Sequence, residues 1–272
     1  MLGRIPISSL LGMFFTALFL LVAVLAPLIA PYGNSQIVGG VWEPMSSSYW
    51  LGTDNLGRDL LSRMIYGARV TIFIAVAATA LSFTLGSVLG FAAAVIGGWF
   101  ETVMSRLVDL LMSIPTLIFG LVVLSVLPTT IPVLIMVMGL LDSTRVYRLS
   151  RAVAADINVM DFVEAAKLRG EGTGWIIFRE ILPNALSPLV SELGLRFIYA
   201  VLFLSALSFL GLGVQPPDAD WGGMVKENKE GIVFGIPAAL IPAAAIAVLA
   251  ISVNLVADWV LNRTSSLKGG RG

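Results

Sequence analysis

Charged side chains carry most of the chemistry open to this chain, because its 272 residues include neither cysteine nor histidine. Disulfides, thiolate nucleophiles, zinc held by imidazole or thiolate, and Ser/His or Cys/His pairs are all excluded. What the charges can do is pair. Glu192 and Arg196 stand four apart and Asp109 follows Arg106 by three, spacings that put both partners on one face of a helix. Each pair reads either as self-neutralising near a membrane interface or as part of a polar pathway. Asp258 has no basic residue near it before Arg263 and reads as a membrane-boundary charge.

A denser polar island runs Glu164-Ala165-Ala166-Lys167-Leu168-Arg169-Gly170 and closes at Leu182-Pro183. Glu164 to Arg169 are good helix formers, and Ala165 and Ala166 keep one face thin enough for close approach by another backbone. Gly170 supplies a C-terminal stop. Thr173 suits the start of a second short helix with Trp175, Ile176, Ile177, Phe178 and Ile181 on its apolar side, ended by Pro183. The product is helix, turn, helix. Two readings stand on spacing alone: a docking element for a partner's groove, or an amphipathic connection lying on the membrane surface.

The elements that must position these residues are membrane helices. Hydrophobic residues make up 57% of the chain and charged ones 12%, a composition outside the range of ordinary soluble domains. The net charge of zero says nothing about nucleic acid. Apolar blocks run from Leu10 to Ala30, Val70 to Ile96, Leu107 to Leu127, Ile131 to Leu141, Pro188 to Leu212 and Phe234 to Val260, most near the ~20 residues that cross a bilayer core. Six helices are expected. The fourth block is short, and its helix is expected to continue through Asp142 and Arg145 into the interface. The first is longer than the apolar core of a cleaved signal and reads as a retained helix.

Lys and Arg set the orientation. A cytoplasmic N-terminus places Arg4, Arg106, Arg145, Arg148, Arg151, Lys167, Arg169, Arg179, Arg263, Lys268 and Arg271 inside, against Arg58, Arg63, Arg69, Lys226 and Lys229 outside. Both ends are therefore expected in the cytoplasm, as is the polar connection from Asp142 to Asn184. Arg145, Arg148 and Arg151 recur at threes, a stripe expected to face water or lipid phosphates. Gly86, Gly90, Gly97 and Gly98 suit close helix packing. Gly211, Gly213, Pro216 and Pro217 shape the outer end of the fifth helix or form a gate there. The segment Gln36 to Arg69, with Trp42, Tyr49 and Trp50, is turn-rich and does not span.

Glu164-Ala165-Ala166, Gly170 and Leu182-Pro183 together resemble the signature of the inner-membrane permeases of binding-protein-dependent ABC importers. Glu180 departs from it, standing where that pattern is apolar. Leu51-Gly52-Thr53-Asp54-Asn55-Leu56-Gly57-Arg58-Asp59, with Ser62-Arg63 and Tyr66-Gly67-Ala68-Arg69, looks like the peptide and nickel branch, as does Ser208 to Pro217 with Asp220-Trp221-Gly222. The resemblance implies an all-α, type I importer permease fold of six transmembrane helices in the inner (plasma) membrane. It divides the chain into an N-terminal helix and extracytoplasmic segment (1–66), a permease domain (67–263) with a coupling loop at 142–187, and a cytoplasmic tail (264–272).

It further implies a heterodimer with a second permease, two cytoplasmic ATPases that bind the ATP and Mg, and an extracytoplasmic binding protein. No cofactor and no nucleic acid are expected for this chain. Glu164, Ala165, Ala166, Gly170, Leu182 and Pro183 would form the ATPase-coupling element, and Glu192, Arg196, Gly211 and Gly213 are candidates for pathway or gate. The chain has no Gly-x-x-x-x-Gly-Lys-Ser/Thr phosphate loop, so ATP hydrolysis falls to another subunit. The implied cargo is di- or oligopeptide, with nickel chelates, glutathione or oligosaccharides as alternatives in the same branch. A proton-coupled secondary transporter using Glu192 or Asp109 is the reading from another class; it predicts an internal repeat, and no clear one is visible. An intramembrane enzyme lacks both a histidine and a metal triad.

Overall fold

The computed structural model describes residues 6–269, with side chains to Leu261. Arg4 and Arg271, counted above for orientation, lie outside the described residues, as do the side chains of Arg263 and Lys268. Ten helices are described: α1 (Ile7–Ile29), α2 (Leu60–Ile96), α3 (Gly98–Ser113), α4 (Thr116–Val126), α5 (Ile131–Asn158), α6 (Asp161–Leu168), α7 (Thr173–Trp175), α8 (Leu182–Phe209), α9 (Trp221–Asn228) and α10 (Leu240–Gly269). A π segment, Ile176–Ile181, joins α7 to α8. Among the described residues there is no strand, only two isolated bridges.

Four helical stretches are long and apolar enough to cross a membrane: Ile7–Ile29, Leu60–Ile96, Thr173–Phe209 and Pro237–Leu261. A fifth follows if α3 and α4, bent by 88° to each other, count as one. The block Leu107 to Leu127, expected as one straight helix, is thus broken. Pro115 is the cause: it has no N–H and forces Ile114 out of the helical region, to φ −92° and ψ 131°. The remaining expected span is α5, which exceeds the apolar block and runs without a break to Asn158. Asp142 and Arg145 are helical, as expected, and so are Arg148 and Arg151 beyond them.

Helices in lipid gain little from burying apolar surface against one another, so close approach and dispersion hold the bundle. The contact between α2 and α5 is built that way. A Cβ on Gly86 would sit 2.6 Å from Val146 Cβ, and one on Gly90 2.7 Å from the Tyr147 carbonyl. From the other side, Gly139 of α5 meets Leu81. Gly97 and Gly98, expected to share this role, instead turn the chain from α2 into α3 at φ +64° and +57° with open space around them.

Leu60, Ile74, Leu134, Met138, Leu204, Leu207, Trp221 and Met224 fill the main core, between α2, α5, α8 and α9. A second cluster, Phe91, Ala154, Ile157, Val163, Ile176, Ile181, Ala185 and Leu189, fills the opposite end. The outer faces carry exposed apolar side chains such as Phe14, Leu21, Val24, Phe73 and Val126, as a lipid-facing surface requires.

Candidate functional site

At one end of the bundle α6 makes a corner. Asp161 and Glu164 occupy its first turn and Lys167 its last, the charge order that suits a helix dipole. Gly170 has φ +85°; its N–H donates to the Lys167 carbonyl at 2.9 Å and that of Glu171 to the Ala166 carbonyl at 3.2 Å. This is a Schellman ending, which needs a left-handed residue where the glycine stands. Arg169 lies over the Trp175 ring and Lys167 Nζ donates to the Asn158 carbonyl, fastening the corner to its neighbours.

Val163 and Ala166 are fully buried, Val163 within the second core, whereas Glu164, Ala165 and Gly170 are exposed. The two alanines thus divide the work, Ala166 inward and Ala165 outward. Pro183 does not end the second short helix as expected. The chain passes through it in a widened π turn, with Leu182 N–H reaching back five residues to Ile177, and Pro183 falls in the first turn of α8, where its missing N–H costs little. Nor does Thr173 cap its helix: Gly172 precedes the first turn, without a side-chain cap. The Glu180 carboxylate makes no hydrogen bond or ion pair among the described residues.

Midway along the bundle lies a cleft of about 260 Å³, lined by residues of α2, α4, α5 and α8. Its walls are mostly apolar, among them Ala78, Leu117, Met138 and Phe203, and its polar groups are Thr79, Thr116, Asp142, Arg145 and Tyr199. The expected Glu192/Arg196 pair sits beside it. Arg196 Nε donates to Glu192 at 2.7 Å, its Nη1 to Asp142 at 3.2 Å, and its guanidinium lies 4.7 Å from the Tyr199 ring centre. Asp142 also accepts from Ser82 Oγ at 3.3 Å. Arg145 donates to Thr116 Oγ1 at 3.2 Å. Four helices therefore meet through one polar network.

The rest of the arginine stripe pairs with α3 while staying accessible, Arg148 at 54% and Arg151 at 38% side-chain exposure. Arg148 pairs with Asp109 at 2.6 Å and Arg151 with Glu101, pinning α5 to α3. Asp109 thus takes a partner from another helix rather than Arg106. Gly211 and Gly213 lie away from the cleft, in the turn after α8. Gly211 has φ +94° in a second Schellman ending, and a Cβ on Gly213 would collide with Ser208.

At that end of the bundle the turn-rich loop before α2 closes over buried charges. Asp54 receives the backbone N–H groups of Leu56 and Arg58, Arg58 Nε at 2.7 Å and Arg63 Nη1 at 2.6 Å. Glu227 of α9 pairs with both arginines from across the chain and, with Asp54, balances their charge. Burial by itself raises the Asp54 pKa, but the two amides and two guanidinium groups outweigh it and hold it below the ordinary value. Asp59 caps α2 through Ser62. The sequence contained the loop's half of this lock; Glu227, 164 residues beyond Arg63, had no local signal.

A family model described as the binding-protein-dependent transport system inner membrane component matches residues 86–266. The chain belongs to that family. This importer permease is 32% identical over 258 residues to the dipeptide transport system permease protein of Haemophilus influenzae, covering 92% of this chain and 88% of the relative. It is 33% identical over 259 residues to a di/tripeptide transport system permease protein of Pseudomonas aeruginosa, with 92% and 85% covered. A glutathione transport system permease protein of Pectobacterium atrosepticum matches at 28% over 246 residues, with 90% and 82% covered. The family and its apolar helices place the permease in the inner membrane. The matched region contains the whole α6 corner and most of the cleft, whereas Asp54, Arg58 and Arg63 precede it.

Proposed function

We propose that this permease imports short peptides as one of two related membrane subunits, each with six spanning helices in the type I arrangement and both termini cytoplasmic. α6 and the π segment seat on one of a pair of cytoplasmic ATPases, which bind the ATP and Mg. A binding protein outside delivers the peptide. The corner at α6 carries this reading: its tip is exposed while Val163, Ile176 and Ile181 root the same turns in the core beside α5 and α8. A tip so rooted transmits its displacement into the helices that line the cleft. To drive transport it must bind the ATPase differently in the two states of the cycle, since only a difference in affinity shifts an equilibrium.

Peptide as cargo is supported by the names of relatives above 30% identity, the dipeptide and di/tripeptide permeases among them. The glutathione relative keeps that solute as a second reading, with nickel chelates and oligosaccharides behind it. The test is the complex reconstituted with its second permease, ATPases and binding protein. Gly170→Asp and Glu164→Arg are expected to lower peptide uptake and binding-protein-stimulated ATP hydrolysis at least about tenfold, or ~1.4 kcal/mol of coupling, with the chain still inserted. Unchanged uptake and stimulated hydrolysis in both variants would overturn the coupling role.

A further inference from the structure

The two arginines in the polar network are engaged to different degrees. Arg196 holds Glu192 and Asp142 at hydrogen-bond distance, lies against Tyr199, and leaves 11% of its side chain exposed. Arg145 is 40% exposed and lines the cleft itself. Its one hydrogen bond among the described residues goes to a neutral hydroxyl, Thr116 Oγ1, and its Nη1 stands 3.7 Å from Asp142 Oδ1, beyond hydrogen-bond reach. A guanidinium has five N–H donors in a planar fork, so most of those on Arg145 are unspent. If Arg145 turned toward a solute carboxylate, Asp142 would still accept from Arg196 Nη1 and Ser82 Oγ.

A charged side chain that lines a cavity between membrane helices is a functional-site candidate, and a fork with spare donors fits a carboxylate in a two-point grip. From this we infer that Arg145 receives the terminal carboxylate of the solute as it passes, with Thr116 beside it and the side chain against Leu117, Tyr199 and Phe203. The inference rests on the peptide reading above and adds to it a contact within the membrane subunit itself. The cleft volume, below the usual ~300–1,000 Å³ of closed ligand pockets, suits an open half-site that grips the end of a solute rather than enclosing it.

The chain has no cysteine, so a single reporter can be placed in the cleft. In the full reconstituted complex, Ala206→Cys is labelled with a thiol reagent in the presence of alanyl-alanine or its C-terminal amide. The free acid is expected to slow labelling at least about fivefold and the amide not at all, the size of effect that one charge-assisted contact supplies. Arg145→Gln should abolish the protection. Arg145→Lys should keep part of it, which separates loss of the charge from misfolding. Equal protection by acid and amide, or protection unaffected by Arg145→Gln, overturns the inference. ATP-driven peptide uptake without any protection overturns it while leaving the peptide reading intact; no ATP-driven uptake of any peptide removes both.

Discussion

Single residues in this permease take their roles from what surrounds them. Asp220 shows it best. It caps α9 by accepting from the backbone N–H groups of Gly222 and Gly223, yet it is so buried that its pKa is pushed up to about 6 from 3.8. Ser208 and the two amides favour the charged form, and burial prevails. The folded state therefore keeps a proton that the unfolded chain releases, so this residue's contribution to stability falls as pH rises from about 4 to about 6 and is level above that. Thermal unfolding of the purified protein should show this slope, worth at most about 3 kcal/mol, and Asp220→Asn, which still caps, should flatten it. Asp54 works with the opposite sign, its stabilisation being lost only as pH falls below the ordinary carboxylate range. Truncating it leaves Arg58 and Arg63 buried with Glu227 alone, so Asp54→Asn should cost about 3–5 kcal/mol, measurable as a lowered unfolding midpoint.

Elements are governed by where small residues and prolines stand. The joint between α2 and α5 exists because Gly86 and Gly90 let two backbones approach, and a side chain there must push Val146 or Tyr147 aside. Gly86→Val is expected to destabilise the pair by about 1–3 kcal/mol, seen as reduced yield of folded protein in detergent, whereas the same change at Gly172, with nothing within 4 Å, should be mild. The broken span α3–α4 was legible only as one apolar block, although its cause, Pro115, was in plain view. Hydropathy averages over a break that one proline imposes. α5 runs further than expected: past Asp142 and Arg145 it continues to Asn158, and its Arg148 and Arg151 find Asp109 and Glu101 on α3. Periodic arginines on a helix cannot reveal from sequence whether water or another helix faces them.

At the scale of the whole molecule the bundle has two ends with a mostly apolar cleft and its polar network between them. The buried ions of Asp54, Arg58, Arg63 and Glu227 lock the end that carries α9, and the α6 corner projects from the other. With no phosphate loop in the chain, transport in the assembled importer should need ATP and be indifferent to a proton gradient. Uptake into ATP-free proteoliposomes driven by an imposed gradient would instead favour the secondary-transporter reading. By itself the sequence determined the membrane class, the family and the α6 turn, because those depend on apolar block length and on residues adjacent along the chain: Glu164, Ala166 and Gly170 lie within two turns of helix. Only the tertiary structure decided which charges meet. Arg196 joins Asp142 across 54 residues, Arg58 joins Glu227 across 169, and Arg145 is left with donors to spare. Ion pairing depends on distance in space, and local spacing fixes that distance only within a single helix.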